Sequence, residues 1–113
     1  MADKYDLFDR AVDLIADEKV EEAIAVYLEA VEIDPEFSDG WQGLAIAYND
    51  LGRYDEAIDA GKKLCALMPD DVLAHTTLSR IYQAAGKIDE AEAEGGKARL
   101  LDWKRQLAEG EGE

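Results

Sequence analysis

Apolar residues recur at steps of three and four along most of the chain, which is the spacing of one face of an α-helix. The clearest run is Trp41, Leu44, Ala45 and Tyr48. A polar stretch containing Gly52 then interrupts the pattern, and because glycine adopts a positive φ at little cost, we expect the helix to end there. A second apolar face follows, carried by Ala57, Ile58, Leu64 and Leu67. This part of the chain therefore predicts two helices joined by a short turn.

The limits of the second helix are marked by charged residues and proline. Asp55 and Glu56 stand at its start, where negative charge interacts favourably with the helix dipole. Pro69 ends it, and Asp70-Asp71 supplies an N-cap for the next helix. We interpret this acidic pair as a helix start and not as a metal site, because the ligand spacing of a calcium loop is missing.

The same unit occurs three times at a spacing of 34 residues. Alanine occupies one matching position in every unit, and two antiparallel helices can cross closely where a side chain is short. A period of this length, sustained over nearly the whole chain, predicts a helical solenoid. The matching sets are Ala23, Ala57 and Ala91; Glu22, Glu56 and Glu90; Val20, Tyr54 and Ile88; and Ile33, Leu67 and Leu101.

The repeated residues resemble the tetratricopeptide repeat. The second unit carries the match, with Trp41-x2-Leu44-Ala45-x2-Tyr48 followed by Gly52, Tyr54, Ala57 and Pro69. The resemblance implies an all-α, right-handed α–α superhelix of three helix-turn-helix repeats. The family usually adds a capping helix after the last repeat, and we expect no separate capping helix here. It predicts a single domain over residues 1–108, with repeats at 4–37, 38–71 and 72–105, and an acidic flexible tail at 109–113.

Several positions depart from the family pattern. Leu7 and His75 stand at the position of Trp41, while Gly61 and Gly95 replace a bulkier residue. Trp103 takes the place of a proline, so we expect the last helix to continue through Leu107.

Charge and composition narrow the classes of partner. The formal net charge is −15, which disfavours nucleic acid and anionic membrane surfaces and favours a partner with a basic rim. The N-terminal residues lack the apolar run of a signal peptide, and no segment approaches the length of a membrane span. With a single cysteine the chain forms no internal disulfide. We therefore expect a cytoplasmic protein.

The resemblance also implies a binding surface for a protein or peptide partner. In this family the first helices of the repeats line a concave wall that binds peptides. The first helix here has a second apolar stripe that its own hairpin cannot bury. We expect an apolar groove that binds an extended segment or an amphipathic helix, with Arg80 able to bind a carboxylate. The predicted groove residues are Tyr5, Phe8, Asp9, Val12, Ile46, Asn49, Leu73, Thr76, Arg80 and Gln83. The alternative is that this apolar stripe is core, packed against a neighbouring molecule or a folded-back terminus.

One family subclass binds the acidic C-terminal tail of heat-shock chaperones through a clamp of lysine, asparagine and arginine side chains. The matching positions here hold Phe8, Val12, Gly43, Leu73 and Thr77, none of which fits. We therefore expect the chain not to bind such tails.

We predict no catalytic residues, no metal site and no cofactor, and hence no enzymatic activity. His75 is the only histidine, and we expect it to pack between repeats in place of a tryptophan. Cys65 lies on a helix, and we expect no histidine near it, so we interpret it as an inert buried thiol and not as a nucleophile.

The alternative function is self-assembly through the last helix. That helix combines basic residues with an apolar set, and we expect no further repeat to cover it. It could stack on the acidic first repeat of another copy and form a homo-oligomer. The residues of this predicted interface are Leu100, Leu101, Trp103 and Leu107.

Overall fold

The computed structural model of the chain describes residues 2–111, which form six α-helices joined by short turns. They are α1 (Lys4–Ala16), α2 (Val20–Ile33), α3 (Ser38–Asp50), α4 (Tyr54–Leu67), α5 (Val72–Ala84) and α6 (Ile88–Glu111). Each helix packs against the next one along the chain, and α3 also contacts α5. The predicted all-α solenoid of three helical hairpins is therefore confirmed.

Small side chains sit at the centre of each hairpin. Ala23, Ala57 and Ala91 are essentially inaccessible to solvent, as are Ala11 and Ala45 on the facing helices. Their short side chains let the helix backbones approach, and the larger residues around them fill the interdigitating surface.

The turn inside each hairpin has the same geometry in all three repeats. Gly52 and Gly86 adopt positive φ angles of 74° and 80°, and Glu18 takes the equivalent position in the first repeat with φ 62°. Glycine adopts this conformation more readily than a residue with a side chain, so the first turn carries backbone strain that the other two lack.

The helix starts agree with the capping residues in the sequence. The Asp3 carboxylate accepts hydrogen bonds from the backbone N–H groups of Tyr5 and Asp6, and the Asp6 carboxylate accepts from the backbone of Asp3. Asp71 likewise accepts from the backbone N–H of Ala74 at the start of α5. These acceptors satisfy amides that have no partner within the helix.

The last helix extends well beyond its hairpin partner. As predicted, α6 passes Leu107, and it continues to Glu111. Three residues of the predicted acidic tail are thus helical, while Gly112 and Glu113 lie outside the described residues. Every residue from 103 to 110 is exposed, so this end of α6 leaves the body of the solenoid. No helix in residues 2–111 has the length and apolarity needed to cross a lipid bilayer.

Candidate functional site

The first helices of the three hairpins expose large apolar side chains at equivalent positions. Tyr5 and Val12 on α1 are 61% and 44% exposed, Ile46 on α3 is 45% exposed, and Leu73 on α5 is 58% exposed. Val12, Ile46 and Arg80 occupy the same position of successive repeats, and so do Tyr5 and Leu73 of the first and third. We call the face formed by the predicted groove residues of α1, α3 and α5 the inner wall.

Direct contacts join the helices of the inner wall. The Gln42 side-chain amide on α3 donates a hydrogen bond of 3.1 Å to the Thr77 hydroxyl on α5. At the other end, the ring of Phe37, immediately before α3, lies 5.6 Å from the Tyr5 ring and 5.8 Å from the Phe8 ring, between centroids. Gln42 therefore links α3 to α5, and Phe37 packs the segment before α3 against α1.

Not every predicted groove residue is equally available to a partner. Phe8 is half-buried and packs against Tyr27 and Phe37, so its ring supports the core as well as the wall. The Thr76 hydroxyl donates to the Val72 carbonyl of its own helix at 2.8 Å. Asn49 is half-buried, and its side-chain oxygen is buried without a hydrogen-bond partner among the described residues. Asp9, Arg80 and Gln83 are exposed.

Charged side chains of both signs lie on and beside the inner wall. Asp9 and Asp39 are exposed, whereas Lys4 forms an ion pair with Asp34 beside the Tyr5 and Phe37 rings. The ion pair raises the pKa of Lys4 and lowers that of Asp34, so both groups stay charged near neutral pH. Arg80 makes no ion pair with any residue in the described part of the chain.

The predicted oligomer interface divides over two sides of α6. Leu100, Trp103 and Leu107 are exposed and follow one stripe at steps of three and four, while Leu101 is half-buried. The basic flank is partly neutralised within the helix, because Lys97 pairs with Glu94 at 2.9 Å and Arg105 with Asp102 at 2.7 Å.

A polar cluster lies between the second and third repeats. Trp41 donates its indole N–H to the Pro35 carbonyl at 2.7 Å, and the Nε2 of His75 makes the equivalent contact with the Pro69 carbonyl at 2.8 Å. His75 thus replaces a tryptophan in the contact between repeats, in the way the sequence suggested. Its other ring nitrogen, Nδ1, lies 2.7 Å from the Glu94 carboxylate on α6.

The inference that Cys65 has no histidine near it is wrong. The Cys65 sulfur, a ring nitrogen of His75 and a carboxylate oxygen of Glu94 lie within 4.8 Å of one another, although the residues belong to three different helices. Burial, together with the negative charge of Glu94, raises the pKa of the Cys65 thiol to about 11, so the thiol is protonated at neutral pH.

Two family models described as tetratricopeptide repeat match the chain, one over residues 8–72 and the other over residues 50–102. The chain belongs to the tetratricopeptide repeat (TPR) family. No curated protein gives a significant match to it.

Solved structures share the TPR fold of this chain at low sequence identity. A crystal structure of MamA aligns with a TM-score of 0.87 and 21% identity, covering 93% of this chain and 61% of the MamA chain. The second TPR of Spaghetti (RPAP3), bound to the HSP90 peptide SRMEEVD, aligns with a TM-score of 0.80 and 22% identity over 87% of this chain and 91% of its own. A chain of the CopN–Scc3 complex aligns with a TM-score of 0.82 and 19% identity over 87% of this chain and 58% of its own. This chain therefore spans about three fifths of the length of the MamA structure.

Within the TPR frame, the two junctions between repeats fill the same space differently. At the first junction the Tyr27 ring reaches Gly43, where an added Cβ would lie 2.4 Å from the ring carbon Cζ. At the second junction the equivalent residues are Gly61 and Thr77, so neither position carries a ring like that of Tyr27. A Cβ on Gly61 would meet Leu78 at 2.9 Å. The sequence marks Gly61 as unusual, but it does not reveal that Gly43 makes room for Tyr27.

Proposed function

We propose that this chain is a protein-interaction module whose inner wall binds an apolar segment of another protein. The observation that carries the proposal is the exposure of Tyr5, Val12, Ile46 and Leu73, which occupy two matching positions of the repeats on three helices. Single exposed apolar residues are ordinary, but an aligned set with polar neighbours is typical of interaction sites. The TPR fold and its structural neighbours, two of which hold a peptide or protein partner, also support a binding role and not an enzymatic one.

The charges of the inner wall favour a ligand with basic flanks. Asp9 and Asp39 lie beside the apolar side chains, and the whole chain carries a net charge of −15. An apolar segment flanked by lysine or arginine would bury its side chains against the wall and place its charges near these carboxylates. Arg80 would bind a carboxylate of the ligand and fix its register.

This proposal separates the chain from the RPAP3 domain, whose peptide ends in Glu-Glu-Val-Asp. A peptide of that kind needs cations, and the matching positions here hold Phe8, Val12, Gly43, Leu73 and Thr77. The exposed Asp9 would also repel an acidic tail.

Replacing exposed apolar residues of the inner wall by aspartate should weaken ligand binding, whereas the same replacement elsewhere should not. A ligand is first selected from a random peptide library displayed on phage, using the wild-type chain as bait. Val12→Asp and Leu73→Asp are then each expected to weaken binding at least about tenfold, because each places an unpaired charge within an apolar contact. Isothermal titration calorimetry measures the loss, and thermal unfolding verifies that both variants remain folded.

The control variants are matched in exposure and in charge. Leu28 and Ile33 on α2 are 44% and 57% exposed, close to Val12 and Leu73, and their replacement by aspartate adds the same negative charge. Leu28→Asp and Ile33→Asp should leave the affinity unchanged. Equal losses of affinity in the inner-wall variants and in the control variants would show that the inner wall is not the binding site. Selection of acidic C-terminal peptides from the library would contradict the proposed ligand chemistry.

The second candidate function is self-assembly through α6, which the exposed stripe of Leu100, Trp103 and Leu107 favours. Such an exposed stripe loses contact with water when another copy stacks on it.

We expect the molar mass measured by light scattering to rise with protein concentration for the wild type. For Trp103→Asp it should stay at the mass of the monomer at every concentration. Ile88→Asp is the control, since Ile88 lies at the other end of α6 with 53% exposure against 58% for Trp103. A wild-type mass that is monomeric at every concentration would end this second candidate.

A further inference from the structure

The cluster of Cys65, His75 and Glu94 replaces an apolar set at the preceding junction. The residues 34 positions earlier are Val31, Trp41 and Ala60. Trp41 and Ala60 line the same surface depression there, and the Lys63 ammonium lies 6.0 Å from the centre of the indole ring. The framework of the two junctions is the same, but three side chains without a metal-binding atom have been replaced together by sulfur, nitrogen and oxygen ligands.

The contacts of His75 show which of its nitrogens is available to a ligand. Nε2 takes over the hydrogen bond that the indole N–H makes at the preceding junction, and it donates to the Pro69 carbonyl. This contact fixes the ring so that Nδ1 faces the Glu94 carboxylate at 2.7 Å. Metal-bound histidines commonly donate their second ring N–H to a backbone carbonyl in this way.

Glu94 is also held in place from outside the cluster. Lys97, the equivalent of Lys63, donates to the Oε1 atom of Glu94 at 2.9 Å, while Oε2 faces His75. Metal-bound carboxylates are typically supported by such a hydrogen bond on their second oxygen.

A buried polar contact between His75 and Glu94 explains two of the three replacements. It does not explain Cys65, since the thiol makes no hydrogen bond to either group in the described part of the chain. Sulfur, imidazole nitrogen and carboxylate oxygen are together the three ligand types of zinc sites.

We propose that Cys65, His75 and Glu94 form a binding site for a divalent transition-metal ion of the zinc class, bound through Sγ, Nδ1 and Oε2. Zinc lies about 2.3 Å from thiolate sulfur and about 2.0 Å from imidazole nitrogen, so ligand atoms in a tetrahedral site are roughly 3.5 Å apart. The three ligand atoms lie within 4.8 Å of one another. Side-chain rotations would bring the thiol into place and move Nδ1 and Oε2, now 2.7 Å apart, away from each other by roughly 0.8 Å. A water molecule would complete the coordination.

Metal binding at this site exchanges the ion for protons. The thiol proton and the proton held between His75 and Glu94 leave to solvent, and one thiolate, one carboxylate and one neutral imidazole then balance the divalent charge. The ion joins α4, α5 and α6, so it stabilises the last repeat specifically. Its ligands lie between the repeats and not on the inner wall, so the site is independent of the proposed peptide binding.

Cobalt(II) titration of the reduced 113-residue chain tests the proposal. Cobalt should bind one ion per chain with a near-ultraviolet thiolate charge-transfer band and the visible bands of tetrahedral coordination, and zinc should displace it. Zinc should also raise the thermal midpoint by about 5 °C or more at saturation, whereas magnesium and calcium should not.

Each variant introduces the residue found 34 positions earlier, at the preceding junction of the same chain, where the same helical framework holds it. Cys65→Val should abolish the charge-transfer band, and the triple variant Cys65→Val, His75→Trp, Glu94→Ala should abolish both cobalt binding and the zinc-induced shift while remaining helical by circular dichroism. Absence of the band in the folded, reduced wild type would overturn the proposal. The same band or the same zinc shift in the triple variant would also overturn it, because it would assign binding to the acidic surface.

Discussion

Replacing Gly43 by alanine is expected to destabilise the protein by about 2 kcal/mol, although alanine is the better helix former by about 1 kcal/mol. The added Cβ would lie 2.4 Å from the Cζ atom of Tyr27 and 2.9 Å from its hydroxyl oxygen. Tyr27 is buried, and its ring also packs against Phe8, so it cannot move aside without disturbing the first hairpin. Urea unfolding followed by circular dichroism measures the change.

The same substitution in an open helical position provides the control. The Cβ of an alanine at Gly96 would meet only the Arg99 side chain at 3.8 Å, so Gly96→Ala should stabilise the chain by about 1 kcal/mol. In a Tyr27→Leu background, which removes the ring atoms near Gly43, Gly43→Ala should become neutral or stabilising. A destabilisation that persists in that background would show that Tyr27 is not its cause.

Replacing Glu94 by alanine is expected to destabilise the metal-free protein by about 2 kcal/mol. The change leaves the buried His75 without the acceptor that its Nδ1 faces and also removes the partner of Lys97. Glu92→Ala, an exposed position on the same helix, should stay within about 0.5 kcal/mol of the wild type. Both variants are compared by urea unfolding with a chelator present.

The stability lost through Glu94→Ala should become smaller as the pH falls. Burial alone would raise the pKa of Glu94, but the hydrogen bonds from His75 and Lys97 outweigh it and hold the pKa below 4.5. A carboxyl group with a lowered pKa stabilises the folded state above its ordinary pKa, and this contribution disappears as the pH falls through the folded-state value. The difference in the free energy of unfolding between wild type and variant should therefore be largest near pH 7 and shrink below about pH 4.5. A difference that grows in acid would contradict this account of the contact.

The repeat period determined most of what the sequence revealed about the fold. Residues that recur every 34 positions predict the three helical hairpins and their turns. The continuation of α6 follows from a residue that does not recur, because Trp103 stands where the other repeats have proline. Even the place of His75 in a tryptophan position, and its contact between repeats, follows from that register.

Features that depend on side-chain volume or on several helices together were not visible in the sequence. Phe8 belongs to the apolar stripe of α1 by spacing, yet its ring is half-buried against Tyr27 and Phe37, and no pattern along one helix reports that contact. Cys65 and Glu94 are 29 residues apart in sequence and are brought together only by the stacking of α4, α5 and α6. Comparison of each junction with the preceding one would have shown that Val31, Trp41 and Ala60 are exchanged as a set.

The complementary volumes at the two junctions also give the repeats a fixed order. If the second and third repeats were exchanged, Tyr27 would face Thr77 where it now faces Gly43, and the ring would collide with a side chain. Gly61, in turn, would no longer have Leu78 beside it to fill the space that a tyrosine occupies at the first junction. The same mismatch would oppose an out-of-register exchange of hairpins between two copies of the chain during folding. The residues at positions 27 and 61 thus make each hairpin complementary to the hairpin that follows it in this chain.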